Sequence, residues 1–414
     1  MKLYEYESKA LVAKYGIAIP QGKVFQKVEE VDRAGVVKAQ VLAGKRGKAG
    51  AIKIVDSIEG AKAAASQMLG KKILEQTVHE VYIEDKVDIT AEYFLSIVYD
   101  DQQKKPVVVI SSEGGIEIEE LAKNHPEKLV KFPVDPLDGL QGWKARELCK
   151  QAGFTGETMP KVADALTRLY KCFVGCDATI VEINPLCLTA DGSVVAAGTA
   201  MILDDDALYR HKDFTFKQRS AFDRLPTQRE LDAKKIDEGD HRGIAGKYIE
   251  LDGDIAMMTS GGGGSLTNTD ALLVAGGKPA NYTEYGGNPP TEKMYKLTKV
   301  ILSKPGLNGC WIAGGIASNT RVDVTFEGIA QALREIKPAF PIVIRRAGPG
   351  EKEGFEIMRK LAKEIGLDLH LYGADTPMTS TAKIMVELAN KYKAKKGVAT
   401  TSKSSAKPAK KVKN

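Results

Sequence analysis

The second half of this chain alternates short apolar runs with glycine loops and helical segments, and this alternation limits its possible folds. The apolar run Ile255–Met258 predicts a strand, and the stretch Thr259–Asp270 holds four consecutive glycines before an apolar helical segment. The pattern continues through residues 281–393. Strands that alternate with helices in this way form a doubly wound parallel sheet. An α/β fold is therefore predicted, and a helix that starts behind a glycine loop offers unpaired backbone donors to an anion.

Four glycine loops are expected to converge on one crevice, because the carboxyl ends of parallel strands meet at one edge of a sheet. These loops are Gly261–Gly264, Gly286–Gly287, Gly314–Gly315 and Gly348–Gly350. Arg345 and Arg346 leave the strand before the last loop, and arginine suits bidentate contacts with a carboxylate or a phosphate. For any single loop, the alternative is a glycine turn that only connects a strand to a helix. The second half is predicted to bind an anionic ligand.

Composition places the chain among ordinary globular proteins. It is 43% hydrophobic, and no apolar run approaches the ~18 residues of a transmembrane helix. The first residues carry acids and no apolar core, so we do not expect a signal peptide. The five cysteines are scattered through apolar segments, as expected of reduced thiols in a cytoplasmic protein. Cys172 and Cys176 are one helical turn apart, but no second Cys or His pair matches them as metal ligands.

The formal net charge of +6 comes mainly from the end of the chain, where five lysines follow Gly397 without any acid. The rest is nearly neutral, which argues against a nucleic-acid-binding surface. A last helix is predicted over Ser380–Lys393, and a disordered lysine-rich tail over 396–414. A charged, weakly apolar stretch at 211–240 predicts a linker with an amphipathic helix.

We expect domains at 1–240 and 241–395. At the start of the second domain, Tyr248–Met258 predicts a hairpin of two strands joined by an Asp-Gly turn.

A predicted strand in the first half contains Lys38, whose burial is unfavourable unless it meets an anion. Lys45, Arg46 and Gly47 follow in a flexible loop, and together with Lys38 they suit a polyphosphate. A solvated basic hairpin is the alternative. The elements predicted nearby are helices over Tyr4–Tyr15 and Val28–Arg33, and strands over Lys23–Phe25, Ile73–Gln76, Val81–Glu84, Ile89–Tyr99 and Pro106–Ser111.

Glu84 closes one of these strands, and Val87 and Glu92 follow in the order expected of a nucleotide hinge. On a later strand, the alternation of side chains places Glu182 and Asn184 on the same face. Oxygen ligands on one rigid strand suit Mg²⁺.

Taken in order, four motifs of the first half resemble the ATP-grasp β-type subunits of the succinyl-CoA synthetase superfamily. They are Val36-Val-Lys-Ala-Gln with Lys45-Arg-Gly-Lys-Ala-Gly, Ser112-Glu-Gly-Gly-Ile-Glu-Ile-Glu, Asp135-Pro-Leu-Asp-Gly and Glu182-Ile-Asn-Pro-Leu. The resemblance implies an N-terminal ATP-grasp fold followed by a flavodoxin-like doubly wound CoA-ligase domain. It also implies an ATP site formed by Lys38, Lys45, Arg46 and Gly47 at the phosphates, Glu84, Val87 and Glu92 at the adenosine, and Asn184 at Mg²⁺.

One position departs from the family pattern. The family's second Mg²⁺-binding aspartate aligns with Gly198, and Asp204 aligns with another acid of the family that would have to reach the metal instead. The nucleotide site is then either rebuilt around Asp204 or inactive. The intact phosphate and adenosine positions favour a working site.

In the second half the resemblance narrows to the citrate-activating branch, ATP-citrate lyase and citryl-CoA synthetase. It rests on Ala280-Asn-Tyr-Thr-Glu-Tyr-Gly-Gly-Asn-Pro-Pro, Thr325-Phe-Glu-Gly-Ile, Ile344-Arg-Arg-Ala-Gly-Pro and His370-Leu-Tyr-Gly-Ala-Asp-Thr-Pro-Met-Thr. By this resemblance citrate would contact Gly261, Gly262, Gly287, Ser318, Thr320 and Arg346. Ser318 stands where citrate enzymes commonly have Asn, which leaves fine specificity open.

The chemistry implied by the resemblance requires a second chain. ATP phosphorylates a histidine, the phosphate passes to a citrate carboxylate, and CoA displaces it to form citryl-CoA. None of the five histidines here lies in a glycine-rich setting like the family's phosphohistidine loop, so no catalytic residue is assigned to this chain. We expect a hetero-oligomer with an α-type subunit that carries the phosphohistidine, the CoA-binding domain and, in a lyase, a citrate-synthase-like cleavage module.

Three alternatives differ in class. A succinyl-CoA or malate-CoA ligase β subunit is the nearest, and a catalytically silent nucleotide-binding scaffold is suggested by Gly198. A nicotinamide dehydrogenase is disfavoured, because Gly-x-Gly-x-x-Gly with a ribose-binding acid about 20 residues later is missing. Citrate lyase and citryl-CoA synthetase subunits are not distinguished by this chain, since the difference lies in the partner.

Overall fold

The computed structural model describes residues 1–43, 47, 49–115, 118–217, 219 and 224–404, without the side chains of 119, 124 and 397–404. The chain divides into two compact units, Met1–Leu225 and Pro226–Asn414. This boundary lies before the predicted one at 240. The reason is local: the segment after Pro226 bonds to the second unit, for example through the bidentate Arg229–Glu250 pair, at 2.6 and 2.8 Å.

Among its described residues, the first unit consists of two larger antiparallel sheets, a two-stranded antiparallel sheet of β4 and β5, and five α-helices. Its helices are α1 (Glu5–Lys14), α2 (Ile58–Met68), α3 (Ile118–Asn124), α4 (Gly142–Gln151) and α5 (Thr158–Gly175). Its strands are β1 (Gly22–Phe25), β2 (Gly35–Ala39), β3 (Ile52–Val55), β4 (Lys72–Ile73), β5 (Gln76–Thr77), β6 (Val81–Glu84), β7 (Ile89–Asp100), β8 (Lys105–Ser111), β9 (Val130–Pro133), β10 (Ala178–Thr189), β11 (Val194–Ala196) and β12 (Thr199–Leu203).

The smaller sheet has the strand order β1-β6-β2-β3, and helix α2 packs against β2. The larger sheet has the order β11-β10-β7-β8-β9, with β12 also paired to β10. Helix α5 covers this sheet with a continuous apolar face that includes Val162, Leu166, Leu169 and Phe173, all fully buried. These two sheets carry residues of the predicted nucleotide site: Lys38 lies on β2, Glu84 on β6, Glu92 on β7 and Asn184 on β10.

Two predicted elements of the first unit were wrong. The segment Ile73–Gln76 is not one strand, because Leu74 and Glu75 adopt left-handed backbone angles, φ 49° and 61°, and turn β4 back on β5. The predicted helix over Val28–Arg33 is only a single 3-10 turn, Val28–Glu30. The helix at Tyr4–Tyr15 and the remaining strands named above are confirmed, with their bounds shifted by a residue or so.

The second unit is a doubly wound α/β domain, as predicted. Its helices are α6 (Gln228–Lys234), α7 (Gly262–Val274), α8 (Thr291–Leu302), α9 (Val322–Ile336), α10 (Glu351–Ile365) and α11 (Thr381–Ser404). Its strands are β13 (Ile244–Glu250), β14 (Ile255–Ser260), β15 (Asn281–Gly286), β16 (Gly309–Ile316), β17 (Ile342–Ala347) and β18 (Leu369–Tyr372), in the order β13-β15-β14-β16-β17-β18. All neighbouring pairs are parallel except β13 with β15.

The predicted hairpin over Tyr248–Met258 does not form, because β15 lies between β13 and β14. The backbone of the connecting turn bonds to the segment before β15 instead: Leu251 N–H donates to Ala280 C=O, and Gly253 N–H donates to Pro279 C=O. The order in which the chain adds strands reverses between β14 and β16, because β15 lies on one side of this pair and β17 on the other. Open α/β sheets bind ligands at such a point.

Two further boundaries differ from prediction. Helix α11 continues to Ser404, beyond Lys393, so residues 396–404 of the expected tail are helical and the rest lies outside the described residues. No helix in the described part of the chain has the length and apolarity needed to cross a bilayer.

Candidate functional site

Four charged side chains form a closed cluster inside the first unit: Glu5, Lys9, Lys38 and Glu84. Each is at most 6% exposed. The Lys38 ammonium lies 2.8 Å from Glu5 and 2.6 Å from Glu84, while that of Lys9 lies 3.0 Å from Glu5 and also pairs with Glu84. Both lysines then donate to the same carbonyl, that of Ala197, at 2.8 and 2.7 Å. The lysine predicted to bind phosphate therefore has two internal counter-ions.

The carboxylates keep the pKa of Lys38 high. Burial opposes the charge on Lys38, but Glu5 and Glu84 outweigh it and raise the pKa of this ammonium above its usual value. Burial, reinforced by the repulsion of Lys38, lowers the pKa of Lys9 against the attraction of Glu5 and Glu84. Each lysine nevertheless has three oxygen acceptors within reach, and only an ammonium has three protons to donate.

The Ala197–Gly198 linker between β11 and β12 joins this cluster to Asn184. Asn184 N–H donates to Gly198 C=O at 2.9 Å, one residue from the carbonyl that the two lysines share. A Cβ on Gly198 would lie only 2.1 Å from the carbonyl oxygen of Asn184. The backbone conformation here therefore leaves no space for a side chain at position 198.

Glu92 and Asn184 meet around Gly115. Gly115 N–H donates to Asn184 Oδ1 at 2.9 Å, and a Cβ on Gly115 would lie 2.0 Å from Glu92 Oε2. Cys187 stands opposite Glu92 in the β7–β10 register, and burial raises the pKa of its thiol to about 12. An amide oxygen and a carboxylate around one glycine are donors that suit Mg²⁺, which takes its remaining ligands from phosphates and water.

Asp204 is not brought to this place. It caps the 3-10 helix Asp205–Arg210 by accepting from Asp206 N–H at 2.9 Å, next to the point where Leu203 pairs with Ala178. The length of β10 between Ala178 and Asn184 is roughly 20 Å, at about 3.3 Å per residue. One ion cannot contact both Asn184 and Asp204, so the structure does not support a metal site rebuilt around Asp204. Among the described residues, no group of three or more His, Cys, Asp or Glu side chains could hold a metal.

The other predicted nucleotide residues have mixed placements. The Glu84 carboxylate faces the lysines, so it does not face a ribose in this arrangement. Val87 is half-buried in the segment between β6 and β7. Gly47 lies in a turn closed by Gly50 N–H to Gly47 C=O at 3.3 Å, whereas Lys45 and Arg46 lie outside the described residues.

In the second unit, Arg346 is a buried cation at the carboxyl end of β17. It is 2% exposed, its NH1 donates to Gly315 C=O at 2.9 Å, and its Nε has no partner among the described residues. Its guanidinium lies 5.7 Å from the ring centroid of Tyr285, whose hydroxyl is likewise buried without a recorded partner. A Cβ on Gly314 would lie 2.5 Å from Arg346 NH1, so the glycine lets the guanidinium cross β16.

Arg345 has a different role from its neighbour. Its Nε donates to Thr376 C=O at 2.8 Å and its NH1 to Gly314 C=O at 2.7 Å, so it links β16 to the loop after β18. Burial, reinforced by the charge of Arg346, lowers the pKa of Arg345. Both arginines lie within β17 and do not leave it, contrary to the sequence-based expectation.

The remaining predicted substrate residues lie on neighbouring strand ends, as the parallel sheet requires. Gly261 N–H donates to Tyr285 C=O at 2.9 Å. Gly287 has φ +65° and precedes Asn288, whose N–H donates to the hydroxyl of Thr320 at 3.4 Å. Thr320 is buried, whereas Ser318 in the same loop is exposed.

The glycine run is not a separate loop. Gly261 precedes helix α7 with φ +77°, and Gly262, Gly263 and Gly264 form its first turn. A carboxylate of the protein already lies beside this turn, since Glu284 Oε2 would be 3.1 Å from a Cβ on Gly262. Lys247 balances that carboxylate at 3.0 Å.

Sequence reasoning missed Glu5, Lys9 and Tyr285. Glu5 and Lys9 have the spacing of an i, i+4 ion pair on a helix, which on most helices lies in solvent. They are buried here because Lys38 of β2 and Glu84 of β6 pack against them. Tyr285 alternates with Thr283 and Asn281 as a buried residue of β15, a pattern that any core aromatic would give.

Comparisons with known proteins agree with this architecture. The family of ATP-grasp domains matches residues 2–188, and the family described as ATP citrate lyase citrate-binding matches residues 224–388. The second match begins close to the division between the two compact units at Leu225.

Among relatives, the GDP-forming succinate–CoA ligase β subunit of Thermus thermophilus is 38% identical over 86% of this chain and 93% of its own length. The ADP-forming succinate–CoA ligase β subunit of Bacillus subtilis is 37% identical over 89% of this chain and 96% of its own. A solved structure of ATP citrate lyase from Methanothrix soehngenii, in complex with citrate and coenzyme A, superposes with a TM-score of 0.78 and 26% identity, covering 93% of this chain and 99% of that one. This chain therefore belongs to the ATP-grasp β-type subunits of the succinyl-CoA synthetase superfamily and is close to ATP citrate lyase.

Proposed function

We propose that this chain is the ATP-grasp subunit of a two-subunit enzyme that activates citrate to citryl-CoA. Family membership already makes it a subunit of an ATP-dependent acid–CoA ligase. The proposal adds the identity of the acid. Its main support is Arg346, a buried cation at a ligand-binding sheet edge with no carboxylate partner among the described residues. A buried charge of this kind is unfavourable unless an anionic ligand completes it.

The surroundings of Arg346 suit an acid with several oxygens. The Tyr285 hydroxyl next to the guanidinium is buried and has no recorded partner. Thr320 and the backbone around Gly261 and Gly287 lie on adjacent strand ends. The match of the citrate-binding family to residues 224–388 further supports citrate.

On the nucleotide side, Lys38 is the expected ammonium for the ATP phosphates. Asn184 and Glu92 would hold Mg²⁺, which, when bound with ATP, neutralises phosphate charge. Gly198 leaves this metal without the second acid of the family pattern, so Glu92 is the carboxylate that remains close to Asn184. Citrate-dependent ADP formation with the partner subunit would contradict a catalytically silent scaffold, whereas Mg·ATP binding alone would not.

The rest of the reaction belongs to a partner. A carboxylate is a poor acyl donor, and its phosphorylation gives a mixed anhydride that a thiol can attack. We expect the phosphohistidine and the CoA site on an α-type subunit, as the family implies. Whether that partner also cleaves citryl-CoA distinguishes a lyase from a synthetase.

A second candidate acid is succinate, with malate as a related dicarboxylate. The relatives at 36–38% identity over most of this chain carry the name succinate–CoA ligase. A dicarboxylate could also neutralise Arg346. The choice between citrate and a dicarboxylate therefore depends on the other groups around Arg346, such as the hydroxyls of Tyr285 and Thr320.

Calorimetric titration of the purified chain with citrate, succinate and malate tests the acid. Citrate should bind at least about 10-fold more tightly than the dicarboxylates, because extra charge-assisted hydrogen bonds contribute about 1.5–3 kcal/mol each. The variant R346M should lose citrate binding. The control variant R334M should keep it, because Arg334 pairs with the exposed Glu364 on the surface. Tighter binding of succinate would contradict the citrate assignment.

Turnover is then measured with the co-expressed α-type subunit by following ADP formation with each acid. Citrate-dependent ADP formation that requires both subunits is the expected result. The absence of any Mg·ATP binding to the complex would contradict the enzymatic role itself.

A further inference from the structure

The buried cluster of Glu5, Lys9, Lys38 and Glu84 is unusual because its two cations share all of their acceptors. Each lysine contacts both carboxylates and the same Ala197 carbonyl. Two ammoniums and two carboxylates give the cluster no net charge. Lys38 therefore offers little attraction to a phosphate while it remains in this position.

The two lysines are not equivalent. The side chain of Lys9 is 0% exposed and that of Lys38 is 8% exposed. Lys9 comes from α1, which is further anchored by the Ser8 hydroxyl at 2.6 Å from that of Thr199. Lys38 comes from β2 and is the cluster member with access to solvent. An incoming phosphate would meet Lys38 and not Lys9.

If Lys38 turned to a phosphate, Glu5 and Glu84 would lose one of their two cations. Lys9 already contacts both carboxylates, so it would still pair with each of them. Without Lys9, the departure of Lys38 would take away both of the ammoniums that contact these buried carboxylates, which is strongly unfavourable. Lys38 would then be retained by the carboxylates.

We propose that Lys9 is a positioning residue of the nucleotide site: it is the resident counter-ion for Glu5 and Glu84 that frees Lys38 to bind phosphate. This inference rests on the proposed ATP-binding function. Lys9 itself never touches the nucleotide. It acts through the charge balance of the cluster, and its removal affects ligands that carry phosphates.

The test measures binding of Mg·ATP to the purified full chain by calorimetry, and of adenosine by ligand-observed NMR. The variant K9M should bind Mg·ATP about 10-fold more weakly or worse, because charge-assisted contacts of Lys38 are lost, and should bind adenosine unchanged. K23M is the matched control, since Lys23 is 56% exposed and pairs with an exposed aspartate. Its affinities for both ligands should equal those of the wild type.

A double variant separates charge balance from simple structural damage. In K9M/E5Q the cluster without Lys38 carries the same net charge as in the wild type, so Mg·ATP affinity should recover to within about 3-fold of wild type. Circular dichroism checks that each variant is folded, and the charge-balanced double variant remains available if K9M alone does not fold.

Three results would overturn the inference: wild-type Mg·ATP affinity in K9M, a parallel fall in adenosine affinity, or no recovery in K9M/E5Q. These differ from failure of the proposed function, in which the wild-type chain itself would bind no Mg·ATP.

Discussion

The candidate sites of the two units bury their basic side chains in opposite ways. In the first unit, Lys9 and Lys38 are neutralised by Glu5 and Glu84. In the second, the hydrogen bonds of Arg345 and Arg346 within the described residues all go to carbonyl groups. A neutralised cation must be released before it binds an anion, whereas an unneutralised one is ready for it.

The difference also separates stability from binding. Removing one charged side chain of the first-unit cluster leaves a charge of the opposite sign uncompensated inside the protein, so the free energy of unfolding should fall. Arg346 has no carboxylate partner among the described residues until an anionic ligand binds. Its removal should therefore weaken the binding of that ligand more than it lowers stability. The substitutions below test this contrast between stability and ligand binding, or the structure around the two sites.

The largest expected effect is that of E84Q, which leaves two buried ammoniums with one carboxylate. It should lower the free energy of unfolding of the first unit by about 3–5 kcal/mol. Urea unfolding at neutral pH, followed by circular dichroism, measures it. In a W143F background the buried Trp311 reports the second unit alone, and its transition should not move. An E84Q transition at the wild-type urea concentration would show that the cluster contributes little stability.

Arg345 and Arg346 form an internal pair of controls in the second unit. R345M should lower the free energy of unfolding by about 1–3 kcal/mol, because it leaves the carbonyls of Gly314 and Thr376 without their donors. R346M removes the donor of the single Gly315 carbonyl but also a buried charge without a carboxylate, so it should destabilise the protein less than R345M does. Urea unfolding followed by Trp311 fluorescence compares the two. Equal destabilisation by both would remove the distinction between the structural arginine and the ligand-binding one.

G198A tests how tightly the Ala197–Gly198 linker packs on Asn184. A Cβ 2.1 Å from the Asn184 carbonyl oxygen forces the backbone apart. We expect a loss of about 1–3 kcal/mol, as for overpacked sites. G198D, which restores the family's acid, should be no more stable and should not tighten Mg·ATP binding in calorimetry. Tighter binding by G198D would show that the linker adapts to a second metal ligand.

The smallest effect is expected from Y285F. Its hydroxyl has no recorded partner, so its loss should leave the thermal unfolding temperature unchanged. If the hydroxyl binds the substrate, citrate affinity should fall about 3- to 10-fold, the range of one neutral hydrogen bond. Calorimetry with citrate measures this, and unchanged affinity would place the hydroxyl outside the contact with the ligand.

The architecture of both units was predictable because it depends on local patterns. Alternating apolar runs and glycine loops indicated the parallel sheet, and the motif around Asn184 indicated the ATP-grasp strand. What failed depended on contacts distant in sequence. The hairpin at Tyr248–Met258 failed because β15 inserts between β13 and β14. The counter-ions of Lys38 could not be foreseen, since an i, i+4 pair such as Glu5 and Lys9 has the same sequence whether it is buried or solvated.

The metal prediction shows the same limit. Asp204 was selected by its alignment, but the register of β12 on β10 places it roughly 20 Å along the strand from Asn184. Glu92 was assigned to the adenosine from its order in the chain. Its contact with Gly115 arises from the fold of a loop, which side-chain spacing does not encode.

Helix α1 has a consequence for how the protein is made. Lys9 meets its Ala197 acceptor 188 residues later in the chain, so this contact cannot form until most of the first unit has left the ribosome. Because chains are synthesised at about 5–20 residues per second, Ala197 follows Lys9 after about 10–40 s. During that time the charges of α1 stay hydrated and the helix has no docking surface. The nucleotide site is therefore among the last parts of the first unit to mature during synthesis.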